Sequence, residues 1–230
     1  MNTLLFDREM ASALRYAEFL YRIGADALIV QDTGLISELN VRIPDLELHA
    51  STQMGIHTEG GLRACRRLGL RRAVISREVS LEGLSRLSRA KTGVEIEAFA
   101  HGALCMSFSG GCLYSSMAGE RSGNRGMCAQ PCRKPASAAG YPQESDFCLS
   151  PADLCMLLQV GDLIEAGVCC IKLEGRMKRP EYVASVTRAY RAAIDKIPKE
   201  ELIGLLKDVE RIFSRGHTTG YYLSLIHISE

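Results

Sequence analysis

Between Asp7 and Val30 the chain reads Asp7-Arg-Glu-Met-Ala-Ser-Ala-Leu14-Arg-Tyr-Ala17-Glu-Phe-Leu20-Tyr21-Arg-Ile-Gly24-Ala-Asp-Ala27-Leu-Ile-Val30. Leu14, Ala17, Leu20 and Tyr21 recur at the spacing of one helical face, Asp7 stands where a capping carboxylate belongs, and Gly24 suits the left-handed residue that closes many helices. The apolar run Ala27–Val30 reads as a buried strand. The punctuation returns twice: a helix near Leu62–Leu68, then Gly69 and a strand at Ala73–Ile75; a helix near Leu157–Glu165, then Gly167 and a strand at Cys169–Leu173. Further short strands are expected at Leu46–Ala50, Val94–Ala100 and Phe147–Leu149. Short apolar strands alternating with amphipathic helices build parallel β/α units, so the predicted class is α/β, as a sheet or a barrel.

With 230 residues, 47% hydrophobic and 24% charged, the chain can bury a substantial core in one or two domains. No apolar run reaches the roughly 18 residues of a membrane span, and a soluble, cytoplasmic protein is expected. The net charge of +1 excludes a global polyanion-binding field. Three local groups are basic: Arg63, Arg66, Arg67, Arg71 and Arg72; Arg121, Arg125, Arg133 and Lys134; and Lys172, Arg176, Lys178 and Arg179. Such groups either hold phosphate, as in RNA binding, or form a solvated face.

Four of the nine cysteines form one block in a glycine-rich stretch: Cys105, Cys112, Cys128 and Cys132. Thiolates are soft ligands for zinc or an iron–sulfur cluster, and the intervening glycines and Pro131 let a short loop fold around such a group. Buried thiols, disulfides and structural zinc are the competing readings. The odd cysteine count and the lack of a recognisable signal peptide weigh against disulfides, and the long gaps do not match the paired hooks of zinc ribbons. Cys65, Cys169 and Cys170 fall in helix or strand patterns and read as core residues.

The run Glu97-Ala-Phe-Ala-His101-Gly102-Ala-Leu-Cys105, continuing through Gly111-Cys112 to Ser115, resembles the signature of the collagenase-like peptidases of family U32. Tyr114 is its one departure, replacing an aliphatic residue. His49-Ala-Ser-Thr-Gln53-Met, Asn124-Arg-Gly-Met-Cys128-Ala-Gln-Pro-Cys132-Arg and Ile171-Lys172-Leu-Glu174-Gly175-Arg176 are similar to the family as well, so the resemblance runs from about Asn2 to Tyr221. It implies a TIM-type (β/α) barrel, here partial, with a cysteine-rich insertion. Family members begin with roughly two further β/α units, so a partial barrel or an open sheet is expected. The expected division is 1–102 for the first β/α units, 103–146 for the insertion, 147–222 for the last units and closing helices, and 223–230 for a non-native tail.

Better understood relatives hydroxylate bases in transfer or ribosomal RNA, or a ubiquinone precursor, and bind a four-iron cluster. By resemblance, Cys105, Cys112, Cys128 and Cys132 are the ligands of a [4Fe-4S] cluster, with Cys148 as a substitute and zinc as the structural alternative. Active sites of such barrels lie at the carboxyl ends of the strands. There the expected catalytic set is His49, Gln53, His101, Lys172, Glu174 and Arg176, with Gln31, Asp32, Ser51, Arg77, Glu78 and Glu97 nearby. His49 has the pKa range of a proton donor or acceptor. Lys172, Glu174 and Arg176 would alternate along one strand and point to one side. The implied function is hydroxylation of an RNA base, wobble uridine in tRNA first, with RNA and a small-molecule co-substrate as partners. A peptidase using Cys105 with His101 or His49 is the alternative, and a non-catalytic iron–sulfur scaffold the third reading. The chain contains no Gly-x-Gly-x-x-Gly, His-Glu-x-x-His or Gly-x-Ser-x-Gly motif.

Overall fold

The computed structural model describes residues 1–109, 111–135 and 147–223. In chain order the elements are α1 (Asp7–Arg22), β1 (Ala27–Val30), α2 (Thr33–Arg42), β2 (Glu47–Ala50), α3 (Glu59–Arg67), β3 (Arg72–Val74), α4 (Leu81–Arg89), β4 (Glu95–Ala103), α5 (Tyr114–Gly119), β5 (Asp153–Cys155), α6 (Val160–Glu165), β6 (Cys170–Leu173), α7 (Pro180–Ile194), α8 (Lys199–Ile212) and β7 (His217–Thr218). The expected tail, 224–230, lies outside the described residues, as does 136–146 of the insertion.

The first helix starts one residue earlier than its acidic signature suggests. Phe6 is the cap residue, its N–H donates to Glu9 Oε2 at 2.8 Å, and Asp7 sits in the first turn, where its charge favours the helix dipole. Ala13, Leu14 and Ala17 are buried, whereas Tyr21 is exposed. At the far end Gly24 takes φ +87°, and the amides of Gly24 and Ala25 donate to Tyr21 and Leu20, closing the helix as the glycine predicts.

The strands form one seven-stranded sheet in which β1, β2, β3, β4 and β6 run parallel and adjacent in that order. The end of β4 also pairs antiparallel with β5, through His101, Gly102 and Ala103, and β5 pairs with β7. The α/β class therefore stands. The strand order is that of consecutive β/α units, but among the described residues no pairing joins β1 to β6 and the sheet stays open.

The alternation of side chains in the strands separates two faces. Leu28, Val30, Leu48, Ala50, Ala73, Ile96 and Ala98 are buried in one apolar cluster with Leu35, Ile36, Leu39, Leu62, Leu84 and Leu163 from the helices. Each of the leucine, isoleucine and valine side chains contributes roughly 1.5–3 kcal/mol by leaving water. The other face is polar: His49 meets Glu47 at 2.8 Å, Arg72 meets Glu95 at 2.8 Å, and Lys172 meets Glu97 at 3.0 Å.

Three sequence expectations are corrected. Phe147–Leu149 is a turn closed by Ser150 N–H donating to the Phe147 carbonyl at 2.8 Å, and the strand of this region is β5, formed because the tail of β4 offers it a partner. Cys65 is core, its thiol pushed up to about 11 by burial, but Cys169 is exposed and Cys170 half-buried, because both lie at the start of β6 beside the Glu95–Glu97 edge. The run Lys172, Glu174, Arg176 does not alternate along a strand: β6 ends at Leu173, and only Lys172 belongs to it.

Candidate active site

The carboxyl ends of β1 and β2 turn sharply into elements capped by a side chain, and a side chain also holds the turn after β6. Asp32 accepts from Leu35 N–H at 2.9 Å as the cap of α2 and from Leu5 N–H at 3.1 Å. Ser51 accepts from Gln53 N–H at 3.2 Å and starts the single turn Thr52–Met54. After β6, Glu174 N–H donates to the His101 carbonyl at 2.9 Å, and its carboxylate accepts from Arg176 N–H at 2.9 Å. This approach requires Gly102, whose φ is +105°, since a Cβ there would collide with the Glu174 carbonyl.

The turns enclose a cleft of about 460 Å³ lined by Ser51, Gln53, Arg77, Phe99, Lys172, Glu174, Arg176 and Cys128, with Met1–Thr3 along one side. Phe99 forms its floor: the Arg77 guanidinium stands 4.3 Å and Lys172 Nζ 5.7 Å from the ring centroid. Lys172 also donates to Glu97, so the strand supplies one paired cation, while Arg77 and Arg176 have no carboxylate within ion-pair distance among the described residues. Gln53, Lys172, Glu174 and Arg176 thus meet in one place.

The four block cysteines line a second cavity, of about 120 Å³, together with Gln53 and Arg77. Burial raises the Cys132 thiol pKa, and the neighbouring Cys105 and Cys128 push the same way. The Ser107 hydroxyl is the largest influence on the Cys112 thiol and lowers its pKa. Gln130 N–H donates to Cys128 Sγ at 3.3 Å. Among the described residues no three His, Cys, Asp or Glu side chains stand close enough to hold a single metal ion. Compact tetrahedral zinc, with Zn–S near about 2.3 Å, is therefore not preformed. The donor set, four soft sulfurs around one cavity, fits a larger thiolate-bound group. Cys148 is exposed in the turn after residue 146 and is not part of the cavity lining.

A third groove, of about 350 Å³, runs past Cys105, Cys132, Arg133, Arg176, Lys178 and Arg215. Arg77 and Cys128 border all three spaces. Arg77 is a residue whose importance spacing alone understated. It can be placed at a strand end from sequence, but its position between cleft and thiols depends on how the insertion folds back.

Arginines do much of that folding back. Arg125 clamps the carboxylate of Glu9 at 2.7 and 3.0 Å, donates to the Leu4 carbonyl at 2.8 Å and lies 4.2 Å over the Phe6 ring. The Arg125 hydrogen bond is the main reason the Glu9 carboxyl titrates at about 2. Arg133 donates to the Leu104 and Pro151 carbonyls and to Ser150 Oγ, and Arg121 to the Met127 carbonyl. Glu78 accepts from both N–H and Oγ of Ser109. Of the basic groups legible in sequence, the one inside the cysteine block is largely engaged in such ties. In the first group Arg63, Arg71 and Arg72 pair with glutamates. Arg176, Lys178 and Arg179 are in no ion pair among the described residues.

Two expected catalytic residues stand apart from the cleft. His49 is buried one layer below it, against Glu47, and lines none of the three spaces. His101 lies among Tyr182, Tyr190 and His217 with its Nδ1 3.3 Å from the Tyr190 hydroxyl. A register irregularity between Phe99 and His101 breaks the alternation that would have placed His101 with Glu97 and Phe99. Burial foremost, then His217, depress its pKa to about 4. The expectation that His101 joins the mouth is corrected accordingly.

Four buried polar atoms, Gln31 Oε1, Thr52 Oγ1, Ser76 Oγ and Glu78 Oε2, have no hydrogen-bond partner within the described protein, and all lie just beyond β1, β2 and β3. Such atoms are rare in cores, where polar groups are nearly always hydrogen-bonded.

A model of peptidase family U32 matches residues 1–228. The chain is 40% identical over 209 residues to a 23S rRNA 5-hydroxycytidine synthase of Escherichia coli (strain K12), covering 87% of this chain and 31% of that one. It is 33% identical to tRNA hydroxylation protein P1 of Bacillus subtilis (strain 168), over 84% of this chain and 48% of that one, and 32% identical to a collagenase of Porphyromonas gingivalis (strain ATCC BAA-308 / W83), over 97% and 58%. The chain spans about a third to three-fifths of the length of these three. A solved structure of a U32 peptidase aligns with 42% of this chain and 38% of its own at 20% identity, with a TM-score of 0.35.

Proposed function

The chain belongs to peptidase family U32, and from that premise we propose that it is the catalytic part of an enzyme that hydroxylates a base in RNA, with wobble uridine of tRNA as the first substrate to test. The observation that carries the reading is the shared border of cleft and thiol cavity at Arg77 and Cys128. The names of relatives that act on 23S rRNA and tRNA support RNA as substrate. In this reading Cys105, Cys112, Cys128 and Cys132 hold a [4Fe-4S] cluster, which supplies electron transfer when bound.

The remaining roles belong to the chain's own side chains. Hydroxylation replaces a ring C–H by C–OH, a two-electron oxidation whose oxygen comes from a small-molecule co-substrate. Arg77 and Arg176 present carboxylate-free guanidinium groups to anionic parts of RNA or co-substrate. Phe99 offers an apolar floor, Gln53 and Ser51 hydrogen-bonding edges, and the Lys172–Glu97 pair a place for a proton at the strand end. A base reaches such a cleft only after leaving its stack.

The collagenase names among the relatives keep proteolysis as the second reading. A cysteine peptidase needs an imidazole within reach of its thiol. No histidine lines the cleft, the thiol cavity or the adjoining groove among the described residues.

The test is anaerobic purification of the full-length protein, with absorbance near ~400 nm and about four irons per chain as the expected result, followed by mass analysis of tRNA and rRNA from a deletion strain. An unchanged set of hydroxylated bases would remove the RNA reading. Gelatin cleavage abolished by Cys105→Ser but not by Cys132→Ser would establish the peptidase.

A further inference from the structure

Just past the cleft, Gly175-Arg176-Met177-Lys178 forms a tight turn closed by Lys178 N–H donating to the Gly175 carbonyl at 3.0 Å. Met177, its third residue, has φ +66° and is 95% exposed. A left-handed third position is one that turns normally give to glycine or asparagine, and an L side chain there is strained. The other non-glycine residues with positive φ among those described are Lys91, Glu120, Gln130 and Lys196, all polar and all at helix ends. Met177 alone is apolar, and its side chain stands almost wholly in solvent.

Its position is equally particular. Met177 and Lys178 are shared by the groove that leads back to the thiols and by a second groove, of about 670 Å³, running along the start of α7 toward Arg211 and Phe213. Arg176, Lys178 and Arg179 flank it without an ion-pair partner among the described residues, in contrast to Arg63, Arg191 and Arg211 elsewhere on the helices. Lys178 is held in place, its Nζ 2.9 Å from the Phe213 ring centroid. Cations without an ion-pair partner suit an anionic ligand, and the exposed apolar side chain in their middle suits an apolar face. A nucleic-acid strand offers both at the spacing of neighbouring atoms, phosphate and base, and inserted methionines serve elsewhere as wedges between bases.

We propose that the Arg176–Arg179 turn is a strand-splitting finger: Met177 inserts beside the base next to the one delivered to the cleft, while Arg176 and Arg179 hold the flanking phosphates of single-stranded RNA. The proposal rests on the RNA reading above and deepens it. It assigns the extended groove past Met177 to the strand leaving the site.

The experiment uses the full-length protein and a short oligouridine carrying a terminal fluorescein, free or annealed to oligoadenylate, with affinity read by anisotropy across a salt series. Met177→Gly relieves the backbone strain, so its thermal midpoint should equal or exceed that of the parent. It should nevertheless weaken single-strand binding about fivefold, leaving duplex binding and the salt slope unchanged, as expected for loss of a base contact rather than a phosphate contact. Arg176→Gln with Arg179→Gln should reduce the salt slope by about 1.4, two phosphates' worth for a single strand. Parent-like single-strand affinity in Met177→Gly, with the salt slope of the double variant also unchanged, would overturn the finger and leave the RNA reading standing. Competition by poly-glutamate as strong as by unlabelled oligouridine would make the turn a generic acidic-partner site and overturn it too. Failure of the parent to bind the strand at all would remove both.

Discussion

Between the sheet and its helices, Leu35, Ile36, Leu39, Leu62 and Leu84 are shut away from water, whereas between Cys105 and Pro135 the buried residues among those described are Ser109 and Ser115, both hydroxyls. Over the same stretch Met106, Phe108, Leu113, Tyr114, Met117 and Met127 are exposed. One region is shaped by apolar burial, the other by arginine clamps and main-chain hydrogen bonds. The difference teaches that the insertion carries little folding energy of its own. Its geometry is set by its ties to the sheet and, in the proposed reading, by the group its thiols hold.

The strongest way to sharpen this contrast is Cys128→Ser. If the thiols grip a cluster, the variant should lose nearly all bound iron and its visible absorbance while far-ultraviolet circular dichroism stays at the parent value. Retention of full iron would show that Cys128 is not a ligand. At the other pole, Leu35→Ala should cost about 2–5 kcal/mol in chemical denaturation, as truncation of a fully buried leucine does. A loss below about 1 kcal/mol would mean that the sheet is not the stable unit.

Acid should act on the sheet side. His101 titrates near 4 when folded and near its ordinary 6.5 when unfolded, so between those values the unfolded chain binds more protons. Stability is complete above about pH 6.5 and falls by on the order of 3 kcal/mol as the pH drops to about 4. His101→Gln should flatten that window in denaturation midpoints measured against pH, and an unchanged slope would assign the acid sensitivity to other groups.

Smaller still, Arg125→Ala should speed proteolysis within 104–135 several-fold without moving the thermal midpoint of the sheet. A matching fall in both would erase the distinction between the regions. Met117→Ala, at a side chain 84% exposed, should change stability by less than about 0.5 kcal/mol in the same assays.

The contrast also explains what could be read in advance. Gly24, Gly69 and Gly167 all adopt positive φ at helix ends, which is why the helix–glycine–strand rhythm located β1, β3 and β6. That rhythm is local chemistry, visible in a short window. β5 depends on the tail of β4, some fifty residues earlier, and no local pattern announces Asp153–Cys155. The convergence of Gln53, Lys172, Glu174 and Arg176 was legible because strand ends meet in such folds. The displacement of His101 was not, because one register slip changes a side chain's face and leaves no mark in composition. Arg125 and Arg133 looked like phosphate ligands because their acceptors, Glu9 and the Leu104 carbonyl, are distant in the chain.

Of the oxygens beyond β1, β2 and β3 without a partner among the described residues, Glu78 Oε2 lies on the seam between the two regions, where the other oxygen of the same carboxylate accepts from Ser109. A seam that leaves a buried carboxylate oxygen unpaired is held less firmly than one sealed with leucine, because that oxygen gains by meeting water. In the proposed reading, such a seam would let the cysteine loop open and take up its group while the sheet stays folded.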